Sequence, residues 1–319
     1  MRAARLMTAT SPVSDVAVGA DSPPVVILNP ASNGGRAAKL RRMIEQKLRG
    51  GRGELVLTSA PHDATRLAAD AARAGRGVVV VGGDGAIHEA ACGILESGVD
   101  VPLGVAPAGN GNDYALHVAR MPRNIPQALE LALSGPIERV DAGQVNGEFF
   151  VNALGIGLDA NVAVTAERYK QYGLSGHPLY LASSISELLF RFDGCPTLTV
   201  RLEGAAPTRQ TLALVALNIG PTYGGGFLVN PAADPQDGMF DVCLVVKPSV
   251  LRAIDLVHKL ERGKHVGEPE TTIFRCQRII LEADHPINAQ ADGEISQAER
   301  FDVSLLPGAL ALRRGPAVR

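Results

Sequence analysis

Short apolar runs alternate along the first half of the chain with Gly- or Asn-rich turns and with segments of helical spacing. Four consecutive valines at 78–81 predict a strand buried on both faces, residues 82–85 (GGDG) predict a tight turn, and residues 86–95 predict a helix that begins directly after it. The other elements predicted in this half are strands at 25–28, 54–57 and 101–105 and helices over 36–49, over 64–74 and from Tyr114. This alternation predicts a doubly wound α/β domain over residues 25–140.

The pattern changes after residue 140, where helical spacing fades and short strands follow one another. Asn146-Gly147 lies between two apolar runs and predicts a type I′ hairpin turn. Further strands are predicted at 198–202, 212–218 and 240–246, together with one helix over 179–190. Residues 141–304 are therefore predicted to form a mostly antiparallel β-sandwich domain.

Composition agrees with a globular protein of two domains. The 319 residues are 46% hydrophobic, and a net charge of −2 with 4% aromatic residues and no Trp gives no basis for a nucleic-acid partner. Four widely spaced cysteines without a CxxC pair predict reduced thiols in a cytoplasmic protein. No run reaches eighteen apolar residues, and residues 1–24 predict a disordered leader without the continuous apolar region of a secretory signal.

Three of the predicted turns have the chemistry of an anion site. Glycines let the backbone approach a phosphate closely, and a helix N-terminus offers unpaired N–H groups. Asp84 makes one turn more specific, because a carboxylate beside a phosphate is repulsive unless a divalent cation lies between them. The alternative is that these glycines only close βα turns. Similar loops at 29–35 and 107–113 favour a Mg²⁺-nucleotide site, since ligands collect at the carboxyl ends of parallel strands.

Seven segments, in order along the chain, resemble signatures of the diacylglycerol kinase-type lipid kinases, a superfamily that includes bacterial lipid kinases, sphingosine kinases and ceramide kinases. They are NPASNGG at Asn29, GGDGAIHE at Gly82, PAGNGNDYA at Pro107, RVDAGQVNG at Arg139, NALGIGLDANV at Asn152, YGGGFLVNPAADPQDGMFDV at Tyr223 and ADGEI at Ala291. The resemblance implies an NAD kinase/diacylglycerol kinase-like first domain with residues 305–319 packed back on it. It also implies an ATP- and Mg²⁺-dependent enzyme that phosphorylates a hydroxyl of a diacylglycerol-like or sphingoid lipid.

The resemblance also implies roles for individual residues. It makes Glu294 or Asp292 the catalytic base, with a slight preference for Glu294, and it places Asp84 and Asp141 in a network that reaches the nucleotide-bound metal. If the segment is extended, Asp292 and Glu294 face the same side because they are two positions apart. The alternative is that both acids lie in a surface turn and have no catalytic role. The expected nucleotide-binding residues are Asn29, Pro30, Ser32, Asn33, Gly34, Thr58, Gly82, Gly83, Asp84, Gly85, Ala86, His88, Glu89, Gly109, Asn110, Asn112 and Asp113.

A second metal site is predicted in the loop at 231–239. Asp234, Asp237 and the backbone carbonyl of Met239 suit a hard cation, and by resemblance this would be a structural Mg²⁺ that braces the β domain. A polar turn without metal is an equal alternative. For His88, contact with phosphate and a neutral packing or hydrogen-bonding role are likewise both open.

Two departures from the family pattern concern the nucleotide site. Ala86 and Asn110 stand where many relatives have Thr, although Asn110 keeps a side-chain donor and acceptor. Two other functions stay open, an NAD kinase that shares the GGDG turn and a catalytically weak nucleotide- or lipid-binding regulator. The loop at 107–113 argues against the first, and the retained acids argue against the second. We expect a cytoplasmic protein that associates transiently with the membrane surface to reach its lipid; a homodimer is left open.

Overall fold

The computed structural model describes residues 22–170, 176–190 and 192–316, so nearly all of the predicted leader lies outside the described residues. The strands are β1 (Val25–Leu28), β2 (Glu54–Leu57), β3 (Val78–Gly82), β4 (Leu103–Pro107), β5 (Ile137–Val145), β6 (Glu148–Phe150), β7 (Ala153–Gly157), β8 (Thr197–Leu202), β9 (Thr208–Asn218), β10 (Phe240–Val246), β11 (Thr271–Cys276), β12 (Arg278–Ala291) and β13 (Glu294–Arg313). The α-helices are α1 (Arg41–Lys47), α2 (Asp63–Arg73), α3 (Asp84–Ser97), α4 (Ile125–Ser134), α5 (Leu158–Lys170), α6 (Gly176–Phe190) and α7 (Val250–Glu261). Short 3₁₀ segments lie at Arg36–Leu40 and Phe192–Gly194, and a π-helical turn lies at Tyr114–Val118.

The first domain is built on four parallel strands in the order β2-β1-β3-β4. Strands β1, β3 and β4 are buried along their whole length, which explains their unbroken apolar sequences. The register pairs Leu28 with Val81 and Gly82 with Pro107, so the carboxyl ends of the three strands lie side by side. The loops that follow them therefore leave the sheet at one edge.

The second domain is mostly antiparallel and shares its long strands between layers. The first part of β9 pairs with β8, whereas its later part pairs with β7 and β10. In the same way β12 pairs first with β8 and later with β7. The core between them is apolar and includes Phe150, Leu217, Phe240, Ile279 and Phe301. The predicted change from an alternating α/β half to an antiparallel half is confirmed, while the doubly wound order of the helices stays a prediction.

Strand β13 joins the two domains through 20 residues. It pairs with β12, then with β5, and finally in parallel with β4 through Leu312 and Leu103. Arg314 follows the strand and is 1% exposed, with its guanidinium bonded to the carbonyl of Val118 and to Glu138. The end of the described chain thus packs against the first domain.

The predicted hairpin turn is confirmed, whereas the predicted helices agree with the structure only in part. Asn146 and Gly147 both have positive φ and join β5 to β6, as the type I′ hairpin requires. The helix predicted from Tyr114 is only a five-residue π turn, and α4, α5 and α7 were not predicted. The signals for α7 are present, since Ser249 accepts a hydrogen bond from the Arg252 N–H at its N-terminus. None of the helices in the described ranges is long and apolar enough to cross a membrane.

Candidate active site

The three Gly- and Asn-rich loops meet at the mouth of one cleft between the domains. The cleft has a volume of about 810 Å³, and Asn33, Gly85 and Gly111 line it, one from each loop. Two of the loops touch backbone to backbone, because a Cβ on Gly109 would lie 2.4 Å from the Cα of Gly83. Only glycine allows this approach, which brings the amide groups of both loops together.

Asp84 fixes the distance between these loops. Its carboxylate accepts hydrogen bonds from the backbone N–H groups of Asn112 (2.7 Å) and Tyr114 (3.1 Å). Burial raises the pKa of Asp84 to about 6, the charge of Asp113 acts in the same direction, and the two N–H groups oppose both. Asp113 in turn accepts the Gly225 N–H at 2.8 Å and so connects the loop to the second domain.

Asp292 occupies the centre of the domain junction. The side chain is 4% exposed, and its carboxylate accepts the N–H groups of Val151 (2.6 Å), Asn152 (3.0 Å) and Ala153 (2.8 Å). The Nδ1 atom of His88 lies 2.9 Å from the same carboxylate. Burial disfavours the charged imidazole, but the hydrogen bond and charge of Asp292 outweigh it and raise the pKa of His88. Four donors thus surround one carboxylate.

Glu294 has the opposite surroundings. It is exposed, lines the same cleft, and its carboxylate makes no hydrogen bond or ion pair with any residue in the described ranges. The turn that carries Glu294 has two residues with positive φ, 51° at Asp292 and 100° at Gly293. Of the two acids predicted as the base, Glu294 is the one with free acceptor atoms.

Beyond these acids the cleft becomes apolar. Helix α7 contributes Ala253, Leu256, Val257 and Leu260, at the spacing of one helical face. Other apolar walls come from α5, α6 and neighbouring strands, namely Leu158, Val162, Leu179, Phe192, Ala213, Phe227 and Val245. One continuous cavity is therefore lined by the Gly- and Asn-rich loops, by acids and by apolar side chains.

The structure places the predicted site residues in two groups. Those that line the cleft are Asn33, Gly34, Asp84, Gly85, His88, Asn110, Asp113, Asp292 and Glu294. Those that do not line it are Asn29, Pro30, Ser32, Thr58, Gly82, Gly83, Ala86, Glu89, Gly109, Asn112 and Asp141, together with the predicted metal ligands.

Several residues of the second group have structural bonds instead. The Asn29 carboxamide accepts the Ala31 N–H, and the Glu89 carboxylate accepts the Ala64 N–H at the start of α2. Asn112 bonds Gly109 through both its amide oxygen and its amide nitrogen. These side chains shape the loops from within, and their contact with a nucleotide stays a prediction.

Asp141 does not line the cleft, and its predicted place in a network with Asp84 stays a prediction. It is buried in β5 and accepts the N–H groups of Gly238 (2.9 Å) and Gly308 (2.7 Å). The carboxylate thus clamps the 231–239 loop to a bend in β13. Its backbone hydrogen bonds, which sequence spacing does not show, account for its burial.

The side chains of the predicted second metal site make contacts within the protein. Asp234 accepts the Gln236 N–H, Asp237 accepts the Met239 N–H, and Arg275 forms an ion pair with Asp237. Within the described ranges, no group of three or more His, Cys, Asp or Glu side chains is arranged to hold a metal ion. The Arg275 guanidinium supplies positive charge beside Asp237, and the structural Mg²⁺ at this loop stays a prediction.

Sequence reasoning missed several lining residues. Arg36 lines the cleft, and Tyr114 is buried with its hydroxyl unpaired among the described residues. The apolar walls were also missed, because a Leu or Val that lines a cleft looks the same in sequence as one in a core. The helical spacing of residues 253, 256, 257 and 260 was the available signal for α7.

Comparison with known proteins agrees with the geometry. The family described as "Diacylglycerol kinase catalytic domain" matches residues 23–145, and the family described as "YegS C-terminal NAD kinase beta sandwich-like domain" matches residues 152–314. A diacylglycerol kinase of Mycobacterium tuberculosis is 30% identical over 296 residues, which cover 90% of this chain and 94% of that protein. A diacylglycerol kinase of Bacillus subtilis is 26% identical over 245 residues, covering 74% and 77%.

A solved structure shows the same fold. The crystal structure of a diacylglycerol kinase from Bacillus anthracis matches with a TM-score of 0.72 at 20% identity, over 93% of this chain and 98% of that one. The resemblance inferred from the seven ordered motifs is thereby confirmed. The chain belongs to the diacylglycerol kinase catalytic-domain family of lipid kinases.

Proposed function

We propose that this protein transfers the γ-phosphate of ATP, with Mg²⁺, to a hydroxyl of a diacylglycerol-like or sphingoid lipid. The observation that carries the proposal is the continuity of the cleft, whose anion-binding loops and apolar walls meet at Asp84 and Glu294. Such a cavity suits an acceptor with one polar, reactive end and one hydrocarbon end.

The nucleotide end supports a metal-bound triphosphate. Four acids line the cleft, Asp84, Asp113, Asp292 and Glu294, whereas the basic lining residues in the described ranges are Arg36 and His88. An excess of acids would repel a bare triphosphate, so this donor set fits a nucleotide that arrives with Mg²⁺. Asp84 would hold that ion, which would neutralise the charge that develops on the phosphates.

The acceptor end needs a proton acceptor. Glu294 has free carboxylate oxygens, so it takes the proton of the lipid hydroxyl while the hydroxyl oxygen attacks the γ-phosphorus. The bond from that phosphorus to the β,γ-bridging oxygen breaks, and ADP leaves with the electron pair. Asp292 does not compete for this role, because four donors already occupy its carboxylate.

The apolar walls favour a lipid over NAD as the acceptor. NAD is polar along its length and would leave the leucines and valines of α5 and α7 without an apolar partner. A cytoplasmic protein with such a cleft would associate transiently with a membrane surface to collect its substrate.

The test is transfer of labelled γ-phosphate from ATP with Mg²⁺ to diacylglycerol and sphingoid bases in mixed micelles, with NAD as a soluble acceptor. We expect a labelled lipid that disappears with Asp84→Ala and persists with Asp70→Ala, an exposed aspartate on α2 whose ion pairs lie on the surface. Label on NAD would change the assignment to an NAD kinase. Nucleotide binding without any labelled acceptor would contradict catalysis and favour a regulator.

A further inference from the structure

The contact between His88 and Asp292 crosses the cleft. His88 lies on α3, one turn after the glycine loop of the first domain, and Asp292 lies in the turn between β12 and β13 of the second. Their Nδ1 and Oδ2 atoms are 2.9 Å apart, and the two side chains are 11% and 4% exposed. A charged hydrogen bond this deeply buried is stronger than one on the surface.

Asp292 connects His88 to the turn that carries Glu294. Its side chain holds the N–H groups of residues 151–153, and its own N–H donates to the Ala153 carbonyl at 2.9 Å. Gly293 is held as well, since its N–H donates to the Gln290 side chain at 2.9 Å. The Asp292 carboxylate therefore links the turn that carries Glu294 to α3.

Two side chains contact the ring of His88. Its Nδ1 atom faces Asp292, and the Sγ atom of Cys92, one turn further along α3, lies 3.7 Å from Nδ1 and 3.6 Å from Nε2. The Cys92 thiol also donates to the Phe149 carbonyl at 3.5 Å. The Nδ1 atom of His88 is therefore committed to Asp292 rather than to a phosphate.

We propose that His88 is a positioning residue, whose Nδ1–H donor fixes Asp292 and thereby holds the turn that presents Glu294 to the acceptor hydroxyl. The inference rests on the proposed lipid kinase function and adds a role for a residue that does not touch the reacting atoms. A donor at the Nδ1 position is what the role requires.

Three substitutions of His88 test the Nδ1–H donor separately from the rest of the imidazole ring. His88→Asn keeps an N–H donor near the Nδ1 position, His88→Gln places its amide nearer the Nε2 position, and His88→Ala has no donor. We expect kcat to fall about tenfold or more with Ala and Gln, and to stay within about threefold of wild type with Asn. The KM for ATP should change by less than about twofold in all three. His62→Asn, at an exposed position before α2, is the matched control.

A second measurement needs no activity. Amide hydrogen exchange at Val151, Asn152 and Ala153 reports the bonds to Asp292 directly, so it should accelerate with Ala and Gln and remain slow with Asn. If exchange responds in this way but no lipid is phosphorylated, the proposed function fails while the positioning contact stands. Unchanged exchange in His88→Ala would overturn the inference. So would a rise of about tenfold in the KM for ATP at constant kcat, because it would make His88 a phosphate ligand.

Discussion

At the scale of single residues, Asp292 and Glu294 show how surroundings assign different roles to similar acids. They lie two positions apart on either side of Gly293, and both line the cleft. Four donors occupy the Asp292 carboxylate, whereas Glu294 is exposed and keeps all of its acceptor sites. A carboxylate that is fully hydrogen-bonded stabilises a junction, and a free one can accept a proton.

The substitution Glu294→Gln tests this division of roles. It removes the proton acceptor at nearly constant volume, so we expect transfer to fall by about a hundredfold or more while nucleotide affinity changes by only a few-fold. Single-turnover transfer and calorimetric nucleotide binding measure the two effects separately. Glu299→Gln, at another exposed position on β13, is the control. A parallel loss of nucleotide binding would contradict the assignment.

At the scale of elements, α7 separates the apolar end of the cleft from the surface. Its inward positions include Ala253 and Leu256, which are 5% and 2% exposed, while Leu251 on the same helix is 82% exposed. The inward face is therefore the part that an acceptor chain would contact. The small side chain of Ala253 leaves room in the wall at that point.

Enlarging this position tests whether hydrocarbon occupies the space. Ala253→Phe should raise the KM for a lipid acceptor about tenfold or more and leave the KM for ATP unchanged, because only the apolar end of the cleft is filled. Leu251→Phe makes a comparable apolar change on the exposed face and should have no effect on either constant. Steady-state kinetics with both substrates varied provides the measurement. Equal effects of the two substitutions would mean that the acceptor lies elsewhere.

At the scale of the whole molecule, β13 makes two domains into one hydrogen-bonded unit. It runs from the Asp292 turn through the antiparallel domain and ends beside β4. Arg314, directly after it, is buried and bonds Glu138 at 2.6 Å and the Val118 carbonyl at 2.8 Å. The relative position of the nucleotide loops and of Glu294 depends on this connection.

Removal of the Arg314 guanidinium should loosen that connection. We expect Arg314→Ala to lower the free energy of unfolding by about 3 kcal/mol, since it leaves the Val118 carbonyl without this donor and removes the nearer of the two guanidinium groups beside Glu138. The control Arg278→Ala breaks an exposed ion pair between Arg278 on β12 and Asp302 on β13, and it should cost less than about 1 kcal/mol. Chemical denaturation gives both values. Similar losses for the two variants would show that Arg314 does not stabilise the junction.

Features that depend on residues close together in the sequence could be predicted, whereas features that depend on distant residues could not. The glycine turn at 82–85 and the Asn146-Gly147 hairpin depend on neighbouring residues, so both are readable in the chain itself. The hydrogen bonds of Asp141 could not be predicted, because its partners, Gly238 and Gly308, lie far away in sequence and only the fold brings them together. Arg275 lies 38 residues from Asp237, and its ion pair has no local signal. The apolar walls were missed because burial against a cleft and burial in a core select the same side chains.

The parallel pairing of Leu312 with Leu103 has a consequence for how the protein is made. During translation β4 leaves the ribosome about 200 residues before the strand that covers its edge, a delay of about 10–40 s at ordinary elongation rates. Throughout that interval the nascent first domain presents an uncovered strand edge, which is a surface prone to association with other chains. The sheet edge of the first domain is therefore completed only after the whole antiparallel domain has been synthesised.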